Sequence, residues 1–183
     1  MSQLTLMLGG AKSGKSGLAQ SLAEGLAQGQ AGRLVYIATA QARDQEMDQR
    51  IARHQAARGP LWATLEEPLD LCGALARADG PGAVLLVDCL TLWLSNLMTQ
   101  AGLAGDGLDQ RGQDLCALLP GLKSNVILVA NEVGLGIVPD NALARAFRDA
   151  AGLLHQRLAQ VCQRVVLVAA GLPLALKGGP LPR

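Results

Sequence analysis

"LGGAKSGKSG", residues 8 to 17, decides the fold. Within it Gly9, Gly14, Lys15 and Ser16 fill the pattern G-x-x-x-x-G-K-[ST], which is preceded by the apolar run LTLML (4–8) and followed by KSGLAQSLAEGLAQ (15–28), a stretch of helical composition. A glycine-rich turn between a strand and a helix lets backbone N–H groups close around phosphate oxygens at the positive end of the helix dipole. Gly9, Gly10, Ala11, Lys12, Ser13 and Gly14 are therefore expected to cradle phosphates. Lys15 is expected to reach the β- and γ-phosphates, and the Ser16 hydroxyl to ligate Mg²⁺. Nucleoside triphosphate binding follows from the motif and its context together.

Working outward, apolar runs recur at 33–39 (RLVYIAT), 83–88 (AVLLVD), 125–131 (NVILVAN) and 164–170 (RVVLVAA), with helically spaced stretches between them. That alternation predicts a mostly parallel sheet with helices on both faces. With the phosphate loop on the first strand, the class is α/β, a single-domain P-loop NTPase fold of the RecA-like kind over residues 1–183. The run LPLALK (172–177) contains Pro173, which suits a short C-terminal edge strand or a hairpin back onto the sheet. Gly102, Gly105, Gly107 and Gly112 mark residues 102–112 as a mobile surface loop between helical pieces.

Half the residues are apolar but only 2% are aromatic, so the core is expected to be aliphatic. A formal net charge of +1 supplies no basic field for a nucleic-acid backbone, and nucleic acid is excluded as a partner. Cys72, Cys89, Cys116 and Cys162 are scattered, without a C-x-x-C pair, and read as small buried hydrophobes in a reducing cytosol. The sequence shows neither a leader pattern nor an apolar run of membrane-spanning length, so a soluble cytoplasmic protein is expected.

The run VLLVD (84–88) ends in an acid where the Mg²⁺ shell of a phosphate loop needs one, which makes Asp88 a candidate metal ligand; the competing role is a cap on the helix that follows. Regulatory GTPases read guanine with Asn-Lys-x-Asp after a late strand, whereas this chain has NEVG (131–134) there, with Glu132 in place of Lys. Glu132 is a candidate base for an acceptor hydroxyl, or a carboxylate that fixes its loop. Residues 42–58 (ARDQEMDQRIARHQAAR) have helical spacing, and Met47, Ile51 and His54 share the apolar face. On that face His54 is either a satisfied core histidine or a neutral imidazole acting as nucleophile or proton carrier. In 141–164 the apolar stripe is assigned to Leu143, Phe147, Leu154, Leu158 and Val161. His155 neighbours that stripe and is expected at a surface or interface.

Taken together, GGAKSGKS (9–16), YIATA (36–40), RIARHQAAR (50–58) followed by WATLEEP (62–68), LLVDCLTLWLSNL (85–97) and NEVGLGIVP (131–139) resemble the bifunctional adenosylcobinamide kinase and adenosylcobinamide-phosphate guanylyltransferase family of cobalamin biosynthesis. The resemblance spans nearly the whole chain. It implies two reactions: the γ-phosphate of ATP or GTP goes to the aminopropanol hydroxyl of adenosylcobinamide, and GMP is then transferred from GTP onto that phosphate. It further implies a covalent guanylyl-histidine at His54. Guanine-nucleotide contacts are implied at Gln55, Ala56, Ala57, Arg58, Glu66 and Asp88, and at the strand end formed by Ala38 and Thr39. A homo-oligomer is implied too. Three positions depart from or vary within the family pattern: Asp88, where Glu also occurs, Lys12, where Arg is common, and His155, where Asn is expected. The alternatives are a plain P-loop small-molecule kinase with a structural His54, and a RecA-type nucleotide-dependent regulatory protein.

Overall fold

The computed structural model describes residues 2–28, 32–40 and 59–181. The described elements are β1 (Leu4–Gly9), α1 (Lys15–Gln28), β2 (Leu34–Ala38), β3 (Trp62–Glu66), α2 (Leu71–Ala78), β4 (Val84–Asp88), α3 (Leu90–Thr99), α4 (Asp106–Leu118), β5 (Asn125–Asn131), α5 (Ala142–Val161), β6 (Arg164–Ala169) and β7 (Leu172–Lys177). The strands make one seven-stranded sheet in the order β3-β2-β4-β5-β1-β6-β7. All neighbours run parallel except β6 and β7. The RecA-like α/β expectation is met, with β5 interposed between the phosphate-loop strand and the strand that carries Asp88.

Strand alternation divides the core in two. Leu4, Leu6 and Leu8 of β1, Leu85 and Val87 of β4, and Val126, Leu128 and Ala130 of β5 point to the face covered by α2, α3, α4 and α5. Met7, Leu86, Ile127 and Val129 point the other way, where Ala19, Leu22 and Ala23 of α1 cover them. Both faces are thus closed by helices, which is why the central strands read as unbroken apolar runs. Asp70 starts α2 by accepting the Gly73 N–H at 3.0 Å, and Asn141 starts α5 by accepting the Ala144 N–H at 2.7 Å. Among the described residues no helix is long and apolar enough to cross a membrane.

The C-terminal run does fold back as a hairpin. Ala170 (φ 51°) and Gly171 (φ 78°) make a two-residue turn with both residues left-handed, as the tight hairpin geometry requires. Other expectations need correction. Residues 102–112 are not one loop: Gly107 and Gly112 lie in α4, which begins at Asp106. Gly112 is buried where α4 meets α5; a Cβ there would stand 3.3 Å from Leu154 Cδ1, so this glycine serves close helix packing. β3 was not foreseen, because only Trp62 of its five residues is buried and an edge strand that short gives no clear alternation. Its anchor is the Trp62 ring, set edge-on to Tyr36 at 6.2 Å. The helix expected over 42–58 lies outside the described residues.

Candidate active site

The carboxyl edge of the sheet carries the phosphate loop, Ala38, Thr39, Glu66 and Asp88. β1 ends at Gly9, where a side chain has no room: a Cβ would lie 2.4 Å from the Val168 carbonyl oxygen and 2.6 Å from Ser13 Oγ. Gly14 takes a positive φ of 94°, which only glycine adopts without strain, and the Ser13 carbonyl accepts the Gly171 N–H at 2.8 Å. The loop is thereby pinned to the β6–β7 turn. Lys15 is 7% exposed and donates from Nζ to the Gly10 carbonyl at 3.0 Å, so the lysine folds back across the loop whose phosphates it is expected to reach. Ser16, next in α1, is half-buried. Ser13 Oγ is buried, and no described group hydrogen-bonds to it.

Asp88 ends β4, in register with Ala38 of β2 and Val129 of β5. One strand separates β4 from β1, a distance of about 10 Å at the usual strand spacing. The Tyr36 hydroxyl donates to Asp88 Oδ2 at 3.0 Å and orients the carboxylate. The competing role as a helix cap is not adopted, since the N-cap of α3 is Cys89 and makes no side-chain capping bond.

Thr39 is fully buried, and its hydroxyl donates to the Cys89 carbonyl at 2.7 Å while accepting the Cys89 N–H at 2.9 Å. Asn96 Nδ2 donates to the Thr39 carbonyl at 2.8 Å and to the Pro68 carbonyl at 3.2 Å. These bonds lock the ends of β2 and β4 together, so Thr39 sets the frame around Asp88 while its own hydroxyl is committed inward. Ala38 is buried beside it. Glu66 ends the edge strand β3, exposed and opposite Ala38. Four strand steps separate it from β1, about 19 Å. His54, Gln55, Ala56, Ala57 and Arg58 lie outside the described residues.

His155 departs from its expected surface placement. It is buried at 8% exposure in the stripe formed with Ala151, Leu154 and Leu158, and Leu143, assigned to that stripe, is 62% exposed. The buried stripe is centred on 151, 154, 155 and 158, and the first turn of α5 stands clear of the core. His155 Nδ1 lies 3.7 Å from Glu132 Oε2. Burial pushes the imidazole pKa down, against the opposing pull of Glu132. Sequence reasoning missed Tyr36 and Asn96, whose roles depend on strand pairings many residues apart. The four thiols are free and pushed up by burial, Cys162 to about 12, which keeps them protonated.

Comparison with known proteins fits this geometry. Residues 5–176 match the family model described as cobinamide kinase / cobinamide phosphate guanyltransferase. The bifunctional adenosylcobalamin biosynthesis protein CobP of Pseudomonas aeruginosa is 51% identical over 180 residues, covering 96% of this chain and 98% of the relative. CobU of Salmonella typhimurium, bearing the same description, is 37% identical over 185 residues, covering 95% and 99%. Among solved structures, the flagellar accessory protein FlaH from Methanocaldococcus jannaschii superposes with a TM-score of 0.55 at 16% identity, over 98% of this chain and 82% of that one. At that identity the likeness speaks for the fold alone.

Proposed function

The chain belongs to the cobinamide kinase / cobinamide phosphate guanyltransferase family, and from that premise we propose that one nucleotide site carries both transfers. It is a transferase, and its substrates are cobinamide, the phosphorylated cobinamide and a nucleoside triphosphate. The observation that supports a single site is the edge itself: a complete phosphate loop with Lys15 buried in it, and a Tyr36-held Asp88 one intervening strand away.

In the first transfer the aminopropanol hydroxyl of adenosylcobinamide attacks the γ-phosphorus of ATP or GTP, and the nucleoside diphosphate leaves. The loop N–H groups and Lys15 hold the triphosphate in line and neutralise the charge that gathers on the leaving oxygens. In the second, a neutral His54 imidazole attacks the α-phosphorus of GTP; the nitrogen–phosphorus bond forms as pyrophosphate departs. The phosphate of the acceptor then displaces the imidazole, giving adenosylcobinamide-GDP. Glu66, at the far end of the same edge, and residues 55–58 are read as contacts to the guanine nucleotide, with Ala38 and Thr39 framing it.

Ser16 and Asp88 would hold Mg²⁺. These two side chains would supply one oxygen each, and phosphate and water would supply the rest of the shell. When bound, the ion neutralises phosphate charge. The proposal also includes one domain for both activities, a reducing cytoplasmic setting and a homo-oligomer.

The test is labelling. Protein incubated with Mg²⁺ and GTP labelled at the α-phosphate should gain covalent label that is acid-labile and base-stable, and γ-label should not remain. Labelling should decline below pH ~6.5, where a reference imidazole protonates. His54→Ala should lose the label and guanylyl transfer but keep kinase activity. Undiminished labelling of His54→Ala would remove the covalent role from this residue, and a wild-type protein that never labels would favour the plain kinase.

A further inference from the structure

Three elements of the edge meet at Glu132. Its backbone N–H donates to the carbonyl of Gly9, the first residue of the phosphate loop, at 3.0 Å. Its Oε1 accepts the Gly134 N–H at 2.5 Å, closing the start of the loop that follows β5. Its Oε2 faces His155 Nδ1 on α5 at 3.7 Å, a polar contact longer than a hydrogen bond that becomes an ion pair only when the imidazole is protonated. Both carboxylate oxygens are therefore directed inward, at the loop and at the helix.

The loop so held is unlike the rest of the edge. From Val133 to Pro139 it carries no charged residue. Leu135 is 86% exposed, Ile137 97% and Val138 59%. An apolar stretch held out into water beside a phosphate site fits a large ligand that presents apolar faces and one reactive oxygen. A corrinoid acceptor offers such faces, since its macrocycle bears methyl groups between its amide arms, and one arm ends in the hydroxyl or phosphate to be modified.

We propose that Glu132 and His155 are positioning residues that hold the 133–139 loop as the docking wall for the corrinoid acceptor, in register with the phosphate loop. The proposal rests on the reading that cobinamide and its phosphate are the acceptors. Because Glu132 ties the wall to Gly9 through its main chain, and to α5 through its side chain, losing the side-chain contacts frees the wall while leaving the phosphate loop tied. The acceptor should feel the change and the nucleotide should not.

Steady-state kinetics with cobinamide and GTP, alongside α-phosphate labelling without acceptor, separate these effects. Glu132→Ala and Ile137→Ser should each raise the KM for cobinamide about tenfold, with the KM for GTP and the labelling rate within about twofold of wild type. His155→Gln should do the same, since its amide lies beyond the Nδ1 position. His155→Asn, which sets an amide nitrogen where Nδ1 stands, should stay close to the wild-type KM. An unchanged acceptor KM in folded Glu132→Ala would overturn the proposal. So would an equal shift in nucleotide KM and labelling, which would assign the pair to the phosphate loop. If Ile137→Ser changes the mass measured by light scattering while the acceptor KM stays constant, the loop is an interface between copies and the proposal fails. Ile137→Ser, on the exposed wall itself, keeps the test open should Glu132→Ala fail to fold, and an unchanged acceptor KM there counts against the wall. If wild type labels but transfers nothing to cobinamide, it is the acceptor reading that fails, and the wall fails with it.

Discussion

Two loops leave neighbouring strands at the same edge of the sheet and meet water on opposite terms. The phosphate loop after β1 turns inward: Lys15 is 7% exposed, its Nζ bonds the loop's own carbonyl, and Gly9 is packed against the Val168 carbonyl. The loop after β5 turns outward, leaving Ile137 97% exposed. One hydrogen bond, from the Glu132 N–H to the Gly9 carbonyl, joins them. The contrast separates donor from acceptor. A triphosphate is held by fixed dipoles and charge, which demands a rigid and close-packed backbone. A large acceptor needs surface, and rigidity only where that surface is anchored.

The sharpest way to break the contrast is to remove charge from the donor side. Asp88→Asn keeps an oxygen for the Tyr36 hydroxyl but loses the carboxylate charge, so both transfers should slow by roughly 10²-fold or more while circular dichroism is unchanged. Equal activity with an unaltered Mg²⁺ dependence would show that Asp88 takes no part in the electrostatics. A smaller effect compares the two loops residue for residue. Gly9→Ala forces a Cβ into backbone, and denaturant unfolding should show a loss of about 1–3 kcal/mol. Gly136→Ala meets nothing within 4 Å and should stay within about 0.5 kcal/mol of wild type. Similar costs at both positions would erase the distinction.

The sequence made the donor side legible because its chemistry is local: the phosphate loop is contiguous, and Asp88 stands at the end of an unbroken apolar run. What joins the site together is not local. Tyr36 reaches Asp88, and Thr39 reaches Cys89, only because β2 and β4 pair in a register that brings Ala38 opposite Asp88. His155 was misplaced because the buried stripe of α5 keeps Leu154 and Leu158 but is wider than the one assigned, taking in Ala151 and His155 as well, a width set by how the helix lies on its neighbours. Glycine counting misread Gly112 for the opposite reason. A residue that often marks a loop here permits two helices to approach. His54 gave two readings on spacing alone, and the family resemblance chose between them.

The claim at the centre of the account is that one phosphate loop serves both transfers, and Lys15→Ala tests it most directly. The lysine is the one side chain asked to neutralise the triphosphate in each reaction. With folding checked by circular dichroism, both phosphoryl transfer to cobinamide and guanylyl transfer to its phosphate should fall to background in this variant. Either reaction persisting near the wild-type rate would show that the two transfers do not share this site.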